Sequence, residues 1–224
     1  MTAARAALYW APDLDDPLHA AGSTWLGRDA EGAVLLPQPD LPGIAALTAD
    51  PRGYGLHATL KPPFRLRSGY SDLAATAAAF AAGQAPFDLP SLAVEDLDGF
   101  LALREQAPCP ALHALADAAV TALDPHRAAT TPDELARRRP ERLSPRQREL
   151  LDAWGYPYVF AEWRFHVTLT RRLSAQEMAV IRPAAEAFVG PAAARPRRIA
   201  SVCLFVQAAP GAPFVIAERL ALGG

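Results

Sequence analysis

Two histidines and two threonines recur in one pattern. Residues 56–60 read Leu-His-Ala-Thr-Leu, and residues 165–169 read Phe-His-Val-Thr-Leu. Strict alternation is the period of a half-buried strand, in which residues i and i+2 share a face. Leu56, Ala58 and Leu60 then face a core, and His57 and Thr59 face away from it together. Phe165, Val167 and Leu169 repeat the inward set, His166 and Thr168 the outward one. An imidazole with a pKa near 6.5 takes or gives a proton at neutral pH. One ring can serve as general base on water and the other, protonated, as general acid on a leaving oxygen. Two threonine hydroxyls can hold the non-bridging oxygens of a phosphoryl group as charge develops. The scheme calls for no metal and no cofactor.

The same parity, carried outward, adds Lys61 to the face of His57 and Thr59, and Arg164 and Thr170 to the face of His166 and Thr168. A groove between the strands would then have a cation on each wall, which suits an anion. Lys61 is the single lysine among 22 basic residues. His19, His113 and His126 lack the paired context and read as surface or structural groups.

The strings must be positioned by elements around them. Residues 5–11 read as a first strand and 16–27 as a helix stopped by Gly27. The Pro- and Gly-rich stretch 37–53 reads as loop, with a turn of helix near 44–47. Pro62-Pro63 is expected to end the first motif strand. Helix 70–82 follows, then strands 87–95 and 99–104 joined by a tight turn at 96–98. Residues 110–123 carry an apolar helical stripe, and 124–145 read as a solvated, arginine-rich connector, with an anion-binding arm as the alternative. Residues 145–154 form a short helix, and the second motif strand is expected over about 163–172. Ser174 and Glu177 fit a capping box for helix 174–189, and strands 199–208 and 214–222 close the chain. Each motif strand is thus followed by a helix and two strands. That suggests a duplicated α+β fold of two pseudo-symmetric lobes, centred on 54–104 and 163–222, with a helical connector over about 110–155.

Composition narrows the class. The chain has 224 residues, 51% of them apolar, with a formal net charge of −2. A core is affordable, and the charge balance indicates no long nucleic-acid footprint. Cys109 and Cys203 have no CxxC partner, which gives neither a zinc site nor a disulfide framework. There is no leader pattern and no long apolar run, so the reading is a cytoplasmic protein with no membrane partner. Oligomeric state leaves no mark on the sequence.

The strings from Tyr54 to Phe64 (Tyr-Gly-Leu-His-Ala-Thr-Leu-Lys-Pro-Pro-Phe) and from Tyr156 to Thr170 resemble the 2H phosphoesterase superfamily, named for two His-x-Thr/Ser motifs. Within it they are similar to a bacterial branch associated with phosphonate-metabolism operons. The similarity runs nearly end to end, from Leu8-Tyr9 through Ser23-x-Trp25-Leu-Gly-Arg28 to the final strands. The resemblance implies a duplicated bilobal 2H phosphoesterase fold, with two antiparallel sheets flanking a central groove and helices outside. It implies metal-independent cleavage of a cyclic or 2′,5′ phosphodiester, with His57, Thr59, His166 and Thr168 catalytic. Tyr54, Lys61, Tyr158 and Arg164 are added here as substrate contacts. A small phosphorylated molecule, such as a phosphoribosyl cyclic phosphate, is the expected substrate. An RNA end carrying a 2′,3′-cyclic phosphate is the alternative, and a nucleotide- or phosphate-binding protein without turnover is the third reading. A basic track leading away from the groove would favour RNA.

Overall fold

A computed structural model describes residues 4–224. Its main sheet has seven strands, all antiparallel to their neighbours. They are β1 (Arg5–Trp10), β2 (Ala58–Phe64), β3 (Leu92–Leu97), β4 (Phe100–Glu105), β5 (Val167–Thr168), β6 (Ser201–Gln207) and β7 (Phe214–Ala221). Their spatial order is β7-β6-β1-β2-β5-β4-β3. The longer helices are α1 (Pro17–Leu26), α2 (Tyr70–Ala82), α3 (Pro110–Leu123), α4 (Pro145–Trp154) and α5 (Ala175–Phe188). Among the described residues, no helix is long and apolar enough to cross a membrane.

The α+β class and the antiparallel strands are those expected. The two half-sheets meet at a single residue pair, Ala58 with Val167 between β2 and β5, so they join edge to edge into one waisted sheet. The assignment of strands to halves is corrected. The hairpin β3–β4, which follows the first motif in sequence, pairs with the second motif strand β5. The hairpin β6–β7, which follows the second motif, joins through β1 to the first motif strand β2. Each half therefore lends its hairpin to the other, and no lobe is a continuous stretch of chain.

Side-chain alternation along β1 decides what each face does. Ala6, Leu8 and Trp10 point into the large core shared with Leu73 of α2 and Leu112 and Leu115 of α3. Ala7, Tyr9 and Ala11 point the other way, into a small aromatic cluster with Phe205 and Phe214. The helices cover the first face, and the second is left for the site.

Several expected ends move. Strand β2 runs through Pro62 and Pro63 to Phe64. Proline cannot donate to a ladder, but here the register with β1 is irregular and β5 pairs only at Ala58, so few ladder bonds are forfeited. The second motif strand shrinks to Val167–Thr168 because only these two residues pair with β4 and only Val167 with β2. Expected strand 87–95 splits at Pro90: Phe87–Leu89 pairs with Arg197–Ile199 in a separate ribbon, and Leu92–Leu97 forms the hairpin. The hairpin turns at Asp98-Gly99, both with positive φ (53° and 94°), as the primed turns of tight hairpins require. The capping box of Ser174 and Glu177 forms as read.

Candidate active site

The pairing of Ala58 with Val167 fixes the geometry of the two motifs. Carried one residue either way, that antiparallel register sets His57 across from Thr168 and Thr59 across from His166. Such neighbours on one face have Cβ atoms roughly 5 Å apart. That register sets each imidazole beside the other motif's hydroxyl across the waist. All four side chains line one pocket of about 330 Å³. Trp163 also ties the halves together, its indole N–H donating to the Thr59 carbonyl at 2.9 Å.

Both imidazoles are held in the same way. His57 Nδ1 lies 2.9 Å from the Gly55 carbonyl, and His166 Nδ1 lies 2.8 Å from the Arg164 carbonyl. A carbonyl can only accept, so each Nδ1 carries the proton, and each neutral Nε2 is left with a lone pair. Gly55 suits its place: its φ is +80°, and a Cβ there would stand 2.5 Å from the Ala30 Cβ.

Their surroundings differ. The His57 ring stacks on Tyr9 with centroids 4.0 Å apart, and Tyr54 and Phe205 lie at 5.8 and 6.0 Å. Burial among these rings, opposed by the Gly55 carbonyl and aided by His166, lowers the His57 pKa to about 4. Burial also lowers that of His166, against its Arg164 carbonyl bond, with Arg104 lowering it further and Glu105 raising it. Phe100 meets the His166 ring edge-on at 6.1 Å.

Of the expected substrate contacts, Tyr54 lines the pocket, its ring also stacked on Phe214 at 5.1 Å. Three others do not. Between Tyr9↔Thr59 and Leu8↔Lys61 the β1–β2 register slips by one residue. That bulge sends Lys61 to the helix-covered face shared by Leu8, so the parity argument fails there. The Lys61 ammonium, 1% exposed, donates to Asp124 Oδ1 at 2.7 Å and to the Val120 carbonyl at 3.2 Å. Burial pushes its pKa down and Asp124 opposes the shift. Arg164 precedes the short β5; its side chain is exposed near Asp98, and its contribution is the carbonyl under His166. Tyr158 is 45% exposed and packs edge-on against Tyr156, which lines the pocket in its place.

Sequence reasoning also missed the cations. Arg5, Arg138, Arg171 and Arg172 line the pocket, with Asp50 as its one acid. Arg138 belongs to the segment read as a solvated connector; its guanidinium lies 4.7 Å over the Tyr156 ring. The only sequence signal was the run Arg137-Arg138-Arg139 itself. The remaining histidines stay outside: His126 bridges Ser68 and Thr76, His113 meets Trp163, and His19 faces Asp29.

A seven-stranded waisted sheet with paired His-x-Thr strands at its centre is the 2H phosphoesterase fold. Among solved structures, Escherichia coli LigT complexed with 3′-AMP shares it, with a TM-score of 0.50, 13% sequence identity and 99% of each chain covered. The chain itself belongs to the family described as "Protein of unknown function (DUF1045)", whose model matches residues 59–215. It is also 42% identical over 231 residues to the Janthinobacterium sp. (strain Marseille) protein named ribose 1,5-bisphosphate phosphokinase PhnN, covering 98% of this chain and 51% of that protein. A Laribacter hongkongensis (strain HLHK9) protein of the same name is 38% identical over 216 residues, covering 94% of this chain and 50% of that protein. The chain thus spans about half the length of the curated relatives it matches.

Proposed function

We propose that this protein is a phosphoesterase that opens a small cyclic phosphodiester by two-histidine acid–base catalysis. The observation that carries the reading is the convergence of both imidazoles, each with Nδ1 bonded to a carbonyl, and both threonines on one arginine-lined pocket. His57, kept neutral by its aromatic surroundings, takes a proton from water as the water oxygen bonds to phosphorus. His166, in its protonated form, gives a proton to the ring oxygen as the P–O bond breaks. Thr59 and Thr168 donate to the non-bridging oxygens, and the product is a phosphomonoester with a free hydroxyl. Each proton-transfer role is worth roughly 10²–10⁴ in rate.

The substrate we favour is a phosphoribosyl cyclic phosphate. The names of the half-matched relatives, which specify a ribose bisphosphate, support a sugar phosphate. The test is a panel of cyclic phosphodiesters, ribose 1,2-cyclic phosphates and nucleoside 2′,3′-cyclic phosphates, followed with and without EDTA. Opening that survives EDTA and collapses in His57→Ala and His166→Ala supports the reading. Binding without turnover would make the protein a phosphate-binding module instead. Loss in EDTA with recovery on added metal would overturn the metal-free mechanism.

A further inference from the structure

A second cleft, of about 450 Å³, borders the His–Thr pocket and shares Arg5, Pro63 and Arg138 with it. Its lining adds Arg65, Arg127 and Arg137, against a single acid, Glu134. In a chain of net charge −2 such a concentration of guanidinium is local and directional.

The ion pairs divide these arginines. Arg65 is held by Glu134 at 2.9 Å and Arg127 by Asp124 at 2.8 Å. Across the pocket, Arg171 is held by Glu177 at 2.8 Å, and Arg172 donates to the Asp98 carbonyl. Among the described residues, Arg5, Arg137, Arg138 and Arg172 enter no ion pair, Arg172 being tied only to the Asp98 carbonyl, and residues 1–3 carry no acidic side chain. Two of those four, Arg5 and Arg138, stand on the rim between the clefts. Neither rim guanidinium is neutralised by a carboxylate. Arg5 donates from Nε to Gln207 Oε1 at 2.7 Å and lies 5.4 Å over the Phe214 ring. The exposed Arg138 has its guanidinium carbon 4.7 Å from the Tyr156 ring centroid. A guanidinium stacked on a ring keeps its N–H edge open, and that edge matches two phosphate oxygens at once. Tyr9 links the rim to the chemistry: it stacks on His57 and feels the charge of both Arg5 and Arg138.

We propose that Arg5 and Arg138 form a second anion subsite, so that the preferred substrate is a cyclic phosphodiester bearing a further, terminal phosphate. The proposal rests on the hydrolytic reading of the neighbouring pocket. A polynucleotide would need a continuing row of open cations, whereas beyond the rim Arg65 and Arg127 are held by carboxylates and Arg137 alone stays open. A single dianionic group suits the two rim guanidiniums.

The test compares ribose 1,2-cyclic phosphate with and without a 5-phosphate. The intact protein should favour the 5-phosphorylated sugar by at least about tenfold in kcat/KM, chiefly through KM. Arg138→Met and Arg5→Met should each bring that ratio toward one, and Arg138→Lys should keep part of it. Calorimetry on His57→Ala with the same two sugars reads the subsite without turnover. If neither sugar is opened but the 5-phosphorylated one still binds more tightly, in a manner lost on adding Arg138→Met, the subsite stands and the hydrolytic reading falls. Equal binding of the two sugars, or a preference unchanged in both arginine variants, overturns the subsite. So does faster opening of an oligonucleotide ending in a 2′,3′-cyclic phosphate than of either sugar.

Discussion

The two His-x-Thr motifs are locally alike and globally different. In each, the imidazole bonds through Nδ1 to the carbonyl two residues earlier, which fixes the same tautomer twice. Around His57 the neighbours are rings: Tyr9, Tyr54 and Phe205. Around His166 they include charges. The β4–β5 register brings Arg104 across from it, and Arg104 Nε stands 3.6 Å from Glu105 Oε2, neither atom finding a hydrogen-bond partner among the described residues. Burial penalises both imidazoliums; at His57 the burying groups are rings, whereas at His166 the Arg104 cation lowers the pKa further and the Glu105 carboxylate raises it. Two copies of one string can therefore divide the acid and base roles through neighbours that neither string encodes.

The largest test of that division is removal of each ring. His57→Ala and His166→Ala should each lower kcat by roughly 10²–10⁴. Their pH profiles should differ: His166→Ala keeps the acidic limb, because a base with pKa about 4 remains, and loses the alkaline limb. His57→Ala should do the reverse. Variants with the same limbs missing would break the proposed assignment.

The flanks differ next. Lys61, beside the first motif, is locked into Asp124; Arg164, beside the second, is exposed. Burial opposes the charge on Asp124, yet hydrogen bonds from Arg127 and Lys61 hold it below the usual carboxylate range. Asp124→Ala leaves a buried ammonium unpaired and should cost about 3–5 kcal/mol in urea unfolding. Lys61→Met should cost clearly less, since Asp124 keeps Arg127. A Lys61→Met protein that unfolds like wild type but loses substrate affinity would return Lys61 to the site.

The hydroxyls should be closer to equivalent. Thr59→Val and Thr168→Val are each expected to lower kcat by about 10–10², short of the loss for a full oxyanion-hole donor. A loss confined to one would show that the phosphoryl group leans toward a single motif.

The two environments also differ in how stability depends on pH. Folded His57 stays neutral to about pH 4, while the unfolded ring takes a proton below about 6.5. Stability is then full above pH 6.5 and falls as pH drops toward 4, because the unfolded state binds the extra proton. His57→Gln should flatten that fall in urea midpoints. His166→Gln should flatten it less, and the opposite ranking would invert the comparison of the two environments.

Local pattern determined a good deal. Period-two alternation set His57 with Thr59 and His166 with Thr168, the helical stripe gave 110–123, and Ser174 with Glu177 marked a helix start. These are short-range properties, written within a few residues of where they act. The exchange of hairpins, the bulge that turns Lys61 toward Asp124, the choice of Tyr156 over Tyr158 and the arrival of Arg138 at the rim were decided by tertiary structure. Each depends on which distant strand or ring lies alongside, and a strand's own alternation holds only until its partner shifts the register.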